Sequence, residues 1–251
     1  MKKTAAFLAS SLAALSAGSV NAVDFSGSGN IGLDTDYVFR GFSQTDEAPA
    51  VSGGYDLEIG LGENLPGLYL GVWASNIDFG DGSIEIDYYG GTTFELGGVG
   101  IDVGYLLYDY PEAGSQDYNE VYATFSMSEI PFIGDLSVGV AHSPDYFAGT
   151  DTYNYFTLDT STPLPIQVAE GVNFALNLHY GYNDFDSAAD FSNFLGVATN
   201  EDRYADISVG LAAGFSDWGV SLTFHTLAGI SRSEKGDLGN DRLVFRIERS
   251  L

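Results

Sequence analysis

The chain has no cysteine, two methionines, two tryptophans and only nine Lys and Arg among 251 residues. Each shortage excludes something. Without cysteine there is no disulfide framework and no lipid-modified cysteine to anchor an exported chain. With 35 Asp and Glu the formal charge is −26, and the basic clusters that nucleic acids and anionic membrane surfaces require are missing. No Lys or Arg occurs between Gly41 and Asp202, so Arg40 stands alone on the early chain beyond Lys2 and Lys3. After residue 22 there is no apolar run of the roughly 20 residues that a membrane helix needs, and no helical period stands out.

What is present begins with a separate object. Lys2 and Lys3 form a basic start, Ala5 to Ala17 an apolar stretch, and Val20-Asn21-Ala22 a small-residue cleavage site. This predicts a secretory signal over residues 1–22, cut after Ala22. The apolar stretch is short for a membrane anchor, and Asp24 with a polar, glycine-rich run follows it. The remainder, 23–251, is expected to form one domain. Losing two lysines takes its formal charge from −26 to −28.

Thirty-two Gly, sixteen Tyr and seventeen Phe describe a chain of strand formers and turn residues. Apolar residues recur at every second position in runs of about nine to thirteen residues, which is the strand period. In the first run, Gly27 to Phe42, one parity carries Ile31, Leu33, Tyr37 and Phe39, and the other carries Asn30, Asp34, Asp36 and Arg40. Val38 is the exception. Further runs include Leu68, Leu70 and Val72; Val99, Ile101 and Val103; Thr152 to Thr160, where both parities carry aromatics; and Leu243, Phe245 and Ile247, in phase with Leu251. Twelve such runs are counted, with ten or fourteen strands as alternatives, and short turns alternate with longer polar loops. The longest loop, Asn183 to Asp202, holds a mixed segment at Phe191 to Val197.

This pattern predicts an all-β fold, a transmembrane antiparallel up-and-down β-barrel. A soluble sandwich would also alternate. Aromatics near run ends (Tyr37, Phe39, Tyr55, Tyr105, Tyr180, Tyr182, Trp218) are expected to form interfacial girdles. Closure follows because an unpaired strand edge in hydrocarbon leaves unsatisfied backbone groups costing several kcal/mol each. Glycines such as Gly90, Gly91 and Gly104 then serve bends in the wall, or make room for Tyr69 and Trp73.

Closure also brings charges together. Asp34, Asp36 and Arg40 share the inward parity of the first run, and Arg242, Arg246 and Glu248 that of the last. A seam of ion pairs is expected, with Arg246 facing Asp36. The seam could act as a charged constriction that screens solutes or as structural glue for a crowded lumen. Of three histidines, His179 and His225 share the inward parity and His142 completes the set. A Ser/His or Asp/His hydrolase would use such residues, but there is no G-x-S-x-G and no dense His and carboxylate motif, so neither catalysis nor a metal is expected. Asp78 to Gly82 lacks the spacing of a calcium loop, and no phosphate-binding glycine loop is present. No cofactor is expected.

Asp36-Tyr37-Val38-Phe39-Arg40-Gly41-Phe42-Ser43-Gln44-Thr45, with Pro49-Ala50-Val51 and Gly71-Val72-Trp73-Ala74-Ser75-Asn76-Ile77-Asp78-Phe79, resembles the TorF-type porin family of Gram-negative bacteria. Glu85 to Gly91 and Gly104 to Pro111 are similar to that family as well. The likeness extends over the chain beyond the signal, strongest from Asp36 to Pro111. It implies an outer-membrane barrel of poorly defined function and carries no catalytic residues. The expectation is therefore a passive channel for small solutes in the outer membrane, narrow and cation-preferring. A plugged structural or surface-interaction barrel is the first alternative and an outer-membrane hydrolase the second. The expected partners are outer-membrane lipid, lipopolysaccharide, and small solutes or ions, with no nucleic acid and the oligomeric state left open.

Overall fold

The computed structural model describes residues 23–62, 65–79 and 82–251; the expected signal over 1–22 lies outside the described residues. The strands are β1 (Asp24–Asp34), β2 (Val38–Phe39), β3 (Phe42–Ser43), β4 (Ala50–Gly60), β5 (Gly67–Phe79), β6 (Gly82–Leu96), β7 (Val99–Asp109), β8 (Tyr118–Ile130), β9 (Gly134–Ser143), β10 (Tyr153–Leu164), β11 (Val172–Phe185), β12 (Arg203–Phe215), β13 (Trp218–Ala228) and β14 (Arg242–Ser250). Twelve of them close into an antiparallel barrel; β2 and β3 form a separate hairpin. Strands β1 and β14 seal the wall, pairing from Asn30 and Ser250 to Asp34 and Arg246.

The period-two pattern explains the wall. Leu68, Leu70 and Val72 of β5, Val121 and Phe125 of β8, and Leu243 and Phe245 of β14 are among the apolar side chains exposed on the outer surface. A barrel presents such a belt to hydrocarbon, and full closure leaves no strand edge to satisfy there. Tyr55, Tyr105, Tyr180 and Trp218 are exposed on the same surface, Trp218 at the start of β13 and Tyr55 and Tyr105 near the middle of β4 and β7. The opposite parity faces inward, where glycine makes room for large rings. A Cβ at Gly104 would lie 2.7 Å from Tyr69 Oη, and one at Gly54 would lie 3.2 Å from Trp73 Cδ1.

Both termini of the barrel lie at one end, called here the termini end. There the connections are short: Gly97 and Gly98 turn with φ of 62° and 83° between β6 and β7, and Ser216 (φ 55°) with Asp217 turns between β12 and β13. At the opposite, loop end most connections are longer. Phe79 pairs with Gly82, so Asp78 lies within β5 rather than in a loop.

Three sequence expectations are corrected. The first strand stops at Asp34, not Phe42, and residues 35–49 turn into the barrel. There Val38 pairs with Ser43 and Phe39 with Phe42 around Arg40-Gly41, whose φ values of 45° and 85° are those of a tight two-residue turn. The first arm keeps Tyr37 and Phe39 in the phase of Ile31 and Leu33, with Val38 the exception, so in sequence the hairpin reads as a continuation of the strand. Tyr37 and Phe39 consequently pack against the inner core rather than forming a girdle. Second, the longest loop contains a helix, α1 (Ala188–Leu195), started by Ser187, whose hydroxyl accepts from the Asp190 N–H at 3.2 Å, and stopped by Gly196 at φ 68°. Third, β10 runs on through Pro163; beyond Ser161 it pairs with β11 alone, the edge condition in which a strand accepts proline.

Candidate functional site

Arg40 sits at the tip of the inward hairpin, buried inside the barrel. Its Nη1 and Nη2 donate to the two oxygens of Glu120 on β8 at 2.7 and 2.8 Å, and the side chains are only 6% and 2% exposed. Tyr108 Oη donates to the same carboxylate at 3.1 Å. The guanidinium lies 4.1 Å from the Tyr155 ring centre, 4.8 Å from Phe39, 5.1 Å from Tyr153 and 5.9 Å from Tyr146. Burial works against its charge, but Glu120 together with Tyr153, Tyr108 and Tyr146 outweighs it and holds Arg40 well above its ordinary range. Tyr204 Oη donates to the Arg40 carbonyl at 3.0 Å, fixing the hairpin to β12.

Around this anchor the loop half of the lumen is filled with rings. Tyr108 stacks on Tyr118 at 4.1 Å and Tyr146 on Tyr153 at 4.0 Å; Phe191 of α1 lies between Phe185 and Tyr204 at 4.7 and 5.4 Å. Phe42 meets Phe194 and Tyr204 edge-on. Buried Glu85 on β6 accepts from Tyr37 Oη at 2.7 Å and Tyr110 Oη at 2.5 Å. Burial raises the Tyr146 hydroxyl to about 12 and that of Tyr37 well above its ordinary value, so both are neutral.

The seam residues meet in a register different from the expected one. Arg246 pairs with Asp34 at 2.7 Å and with Glu248 at 2.9 Å, not with Asp36. Asp36 belongs to the segment beyond β1 and is reached by Arg242 at 2.5 Å. The same Asp36 carboxylate accepts from Ser43 Oγ at 2.6 Å and Thr45 Oγ1 at 2.9 Å, while Arg242 also donates to the carbonyls of Leu238 and Asp237 at 2.6 and 2.9 Å. Arg40, expected to face the last strand, is instead bound to Glu120 on the far wall. Alternation puts Glu85, Glu120 and Asp206 on the inward parity but offers no hint of a partner, and Asp159 lies in the run whose two parities both carry aromatics.

His179 is held at both ring nitrogens, by Asp159 at 2.5 Å and Asp206 at 2.8 Å, with Tyr155 Oη at 3.0 Å. An imidazole so clamped has no nitrogen left to activate a nucleophile. His142 contacts Asn154 at 2.9 Å, away from this cluster. Among the described residues no group of three or more His, Asp and Glu is arranged to hold a metal.

Beneath the hairpin lies a cavity of about 210 Å³, bordered by Tyr37, Ser52, Trp73, Thr223, His225 and Arg246. Solvent reaches the lumen from the termini end: Arg246 and Glu248 are 27% and 28% exposed, whereas Asp36 and Arg242 above them are each 8% exposed.

Residues 17–251 match the model of a family described as bacterial protein of unknown function, Gcw_chp. The chain belongs to the Gcw_chp family. No curated protein matches this member in sequence. Among solved structures it is similar to a chain from work on in-meso crystallization of membrane proteins, with a TM-score of 0.54 and 12% identity, covering 90% of this chain and 83% of the other. It is also similar to KdgM porin, with a TM-score of 0.52 and 9% identity, covering 89% of this chain and 97% of that one. At such identities the likeness shows the fold, and the Gcw_chp description assigns no activity.

Proposed function

We propose that this Gcw_chp protein is an outer-membrane, porin-like barrel passing small solutes through a narrow lumen that its own hairpin stoppers. The observation that carries this is Arg40 bound to Glu120: the loop half of the lumen is closed by an inserted segment held at a few points, rather than by the wall alone. Eight-stranded barrels are filled by their own side chains and sixteen to eighteen strands leave an open channel; twelve leave a space that one hairpin and its rings can close. The TorF-type resemblance and the likeness to a porin of the same fold support this reading. In it the termini end faces the periplasm, the apolar belt contacts outer-membrane lipid and the loop end contacts lipopolysaccharide.

Cation preference belongs to the same proposal. Asp56, Asp102, Asp159 and Asp206 join Asp34, Glu120 and Glu248 on the inner parity of the wall, with Asp36 on the inserted segment, against Arg40, Arg242 and Arg246. Such a lumen carries a negative potential that draws cations. Asp34, Asp36, Arg242, Arg246 and Glu248 would form its charged narrowing and Arg40 its stopper. The refolded protein in a planar bilayer under a salt gradient should give a reversal potential of the cation-preferring sign; an anion-preferring sign overturns the proposal. A second reading, a closed barrel with no conductance, is favoured by the complete burial of Tyr153 and Phe191, and inserted protein that never conducts would establish it.

A further inference from the structure

The cavity beneath the hairpin has features of a binding site rather than of a gap. Its wall carries one indole, Trp73, braced edge-on by Tyr37 at 5.4 Å and 62°. The polar groups facing it include the hydroxyls of Ser52, Ser75, Ser221 and Thr223 and the His225 imidazole. Ser52 is 4% exposed, yet its Oγ has no hydrogen-bond partner. A buried hydroxyl left unsatisfied is unfavourable and calls for an explanation, of which a ligand is one. Gly32 keeps the approach open: a Cβ there would lie 2.9 Å from Ser52 Oγ and 2.8 Å from Arg246 Nη2.

The charged groups at this level are already committed. Asp34 holds Arg246 and Asp36 holds Arg242, and separating such a buried pair is strongly unfavourable. A charged solute would have to compete with these partners, and a purely apolar one would leave the hydroxyls unmet. A space of about 210 Å³ is several waters in size and admits one six-carbon sugar. An aromatic wall for the C–H face of a ring and several hydroxyls for its rim make a site for a neutral, polyhydroxylated solute.

We propose that this cavity binds a neutral monosaccharide-sized polyol, stacked on Trp73 and hydrogen-bonded by Ser52 and Thr223. This names a solute class for the channel proposed above, but binding itself needs no conduction, so the two are tested apart. The protein has two tryptophans, and Trp218 lies on the outer surface, 41% exposed. The W218F protein in detergent micelles therefore reports on Trp73 alone. Titration with glucose and galactose should change its fluorescence saturably, and Ser52→Ala and Thr223→Val, each shown to refold by its heat-modifiable gel mobility, should weaken binding about tenfold. The proposal is overturned by a flat titration with both sugars, by galacturonate binding more tightly than galactose, or by unchanged affinity in both variants. Saturable sugar binding in a protein that never conducts would support the site and remove the channel.

Discussion

Replacing Arg40 by Ala should unseat the hairpin while leaving the barrel intact. The substitution strands Glu120, 2% exposed, without its counter-charge, and breaking a buried pair typically costs about 3–5 kcal/mol. Tyr108 Oη remains at 3.1 Å as a donor to that carboxylate, which favours the lower end of the range. Loss of the cation–π contacts with Tyr155 and Phe39 adds about 1 kcal/mol. A total near 4 kcal/mol shifts the balance between seated and released hairpin roughly a thousandfold, at 1.4 kcal/mol per factor of ten. The wall is unaffected, since Arg40 takes no part in a barrel ladder. Single-channel recording should show a large rise in open time, and limited proteolysis should begin to cut within residues 35–49. Adding Glu120→Gln should recover much of the closure, because no uncompensated charge then stays buried. Recordings and proteolysis of Arg40→Ala that match the parent protein would refute the hairpin as a stopper held by this pair.

Gly41→Ala tests the same element through the backbone. Its φ of 85° is left-handed, a conformation that costs a residue with a side chain about 1–2 kcal/mol, and the new methyl would collide with Leu227 and approach Asp206 Cβ to 3.0 Å; cleavage within 35–49 should again rise, with unchanged heat-modifiable mobility. At the loop end, Glu234 ties two loops together, accepting from the Ser231 N–H at 2.6 Å and Thr199 Oγ1 at 2.7 Å. Hydrogen bonds from Ser231 and then Thr199 hold its carboxyl below the usual 4.5. A depressed value means the tie is present above pH 4.5 and is lost as pH falls through the lower folded value, so amide-exchange protection in 186–202 and 229–241, taken relative to the intrinsic rate at each pH, should fall at acid pH, and Glu234→Gln should abolish that dependence.

The barrel was legible because its determinants are local. Alternation such as Leu68, Leu70, Val72 assigns each wall residue a side, and Gly97-Gly98 marks a turn without reference to anything distant. The site was not, because its partners are far apart in sequence: nothing near Arg40 points to Glu120, and the first-to-last pairing fixes whether Asp34 or Asp36 meets Arg246 only once the register is known. Two signals for the stopper were nonetheless present. Arg40-Gly41 between Phe39 and Phe42 has the form of a two-residue hairpin with glycine at its second position. Tyr110, Tyr146, Phe147, Phe191 and Phe194 are also too many large rings for connections that merely cross a wet surface.

The closing seam and the stopper meet at one carboxylate. Strand β1 pairs with β4 along its whole length, Asp24 with Gly60 to Asp34 with Ala50, but with β14 only from Asn30 to Asp34. The shorter ladder is supplemented by side chains, Asp34 with Arg246 and Asp36 with Arg242. Asp36 also gathers Ser43 and Thr45 at the base of the hairpin. One oxygen of this residue therefore holds the inserted segment and the other holds the last strand. Asp36 thus ties the base of the hairpin to the last strand, while release of the tip at Arg40 leaves the β1–β14 ladder paired, so the arginine-rich last strand serves the wall and the stopper at once. The charge that looked most isolated in the sequence, Arg40, acts on the opposite wall.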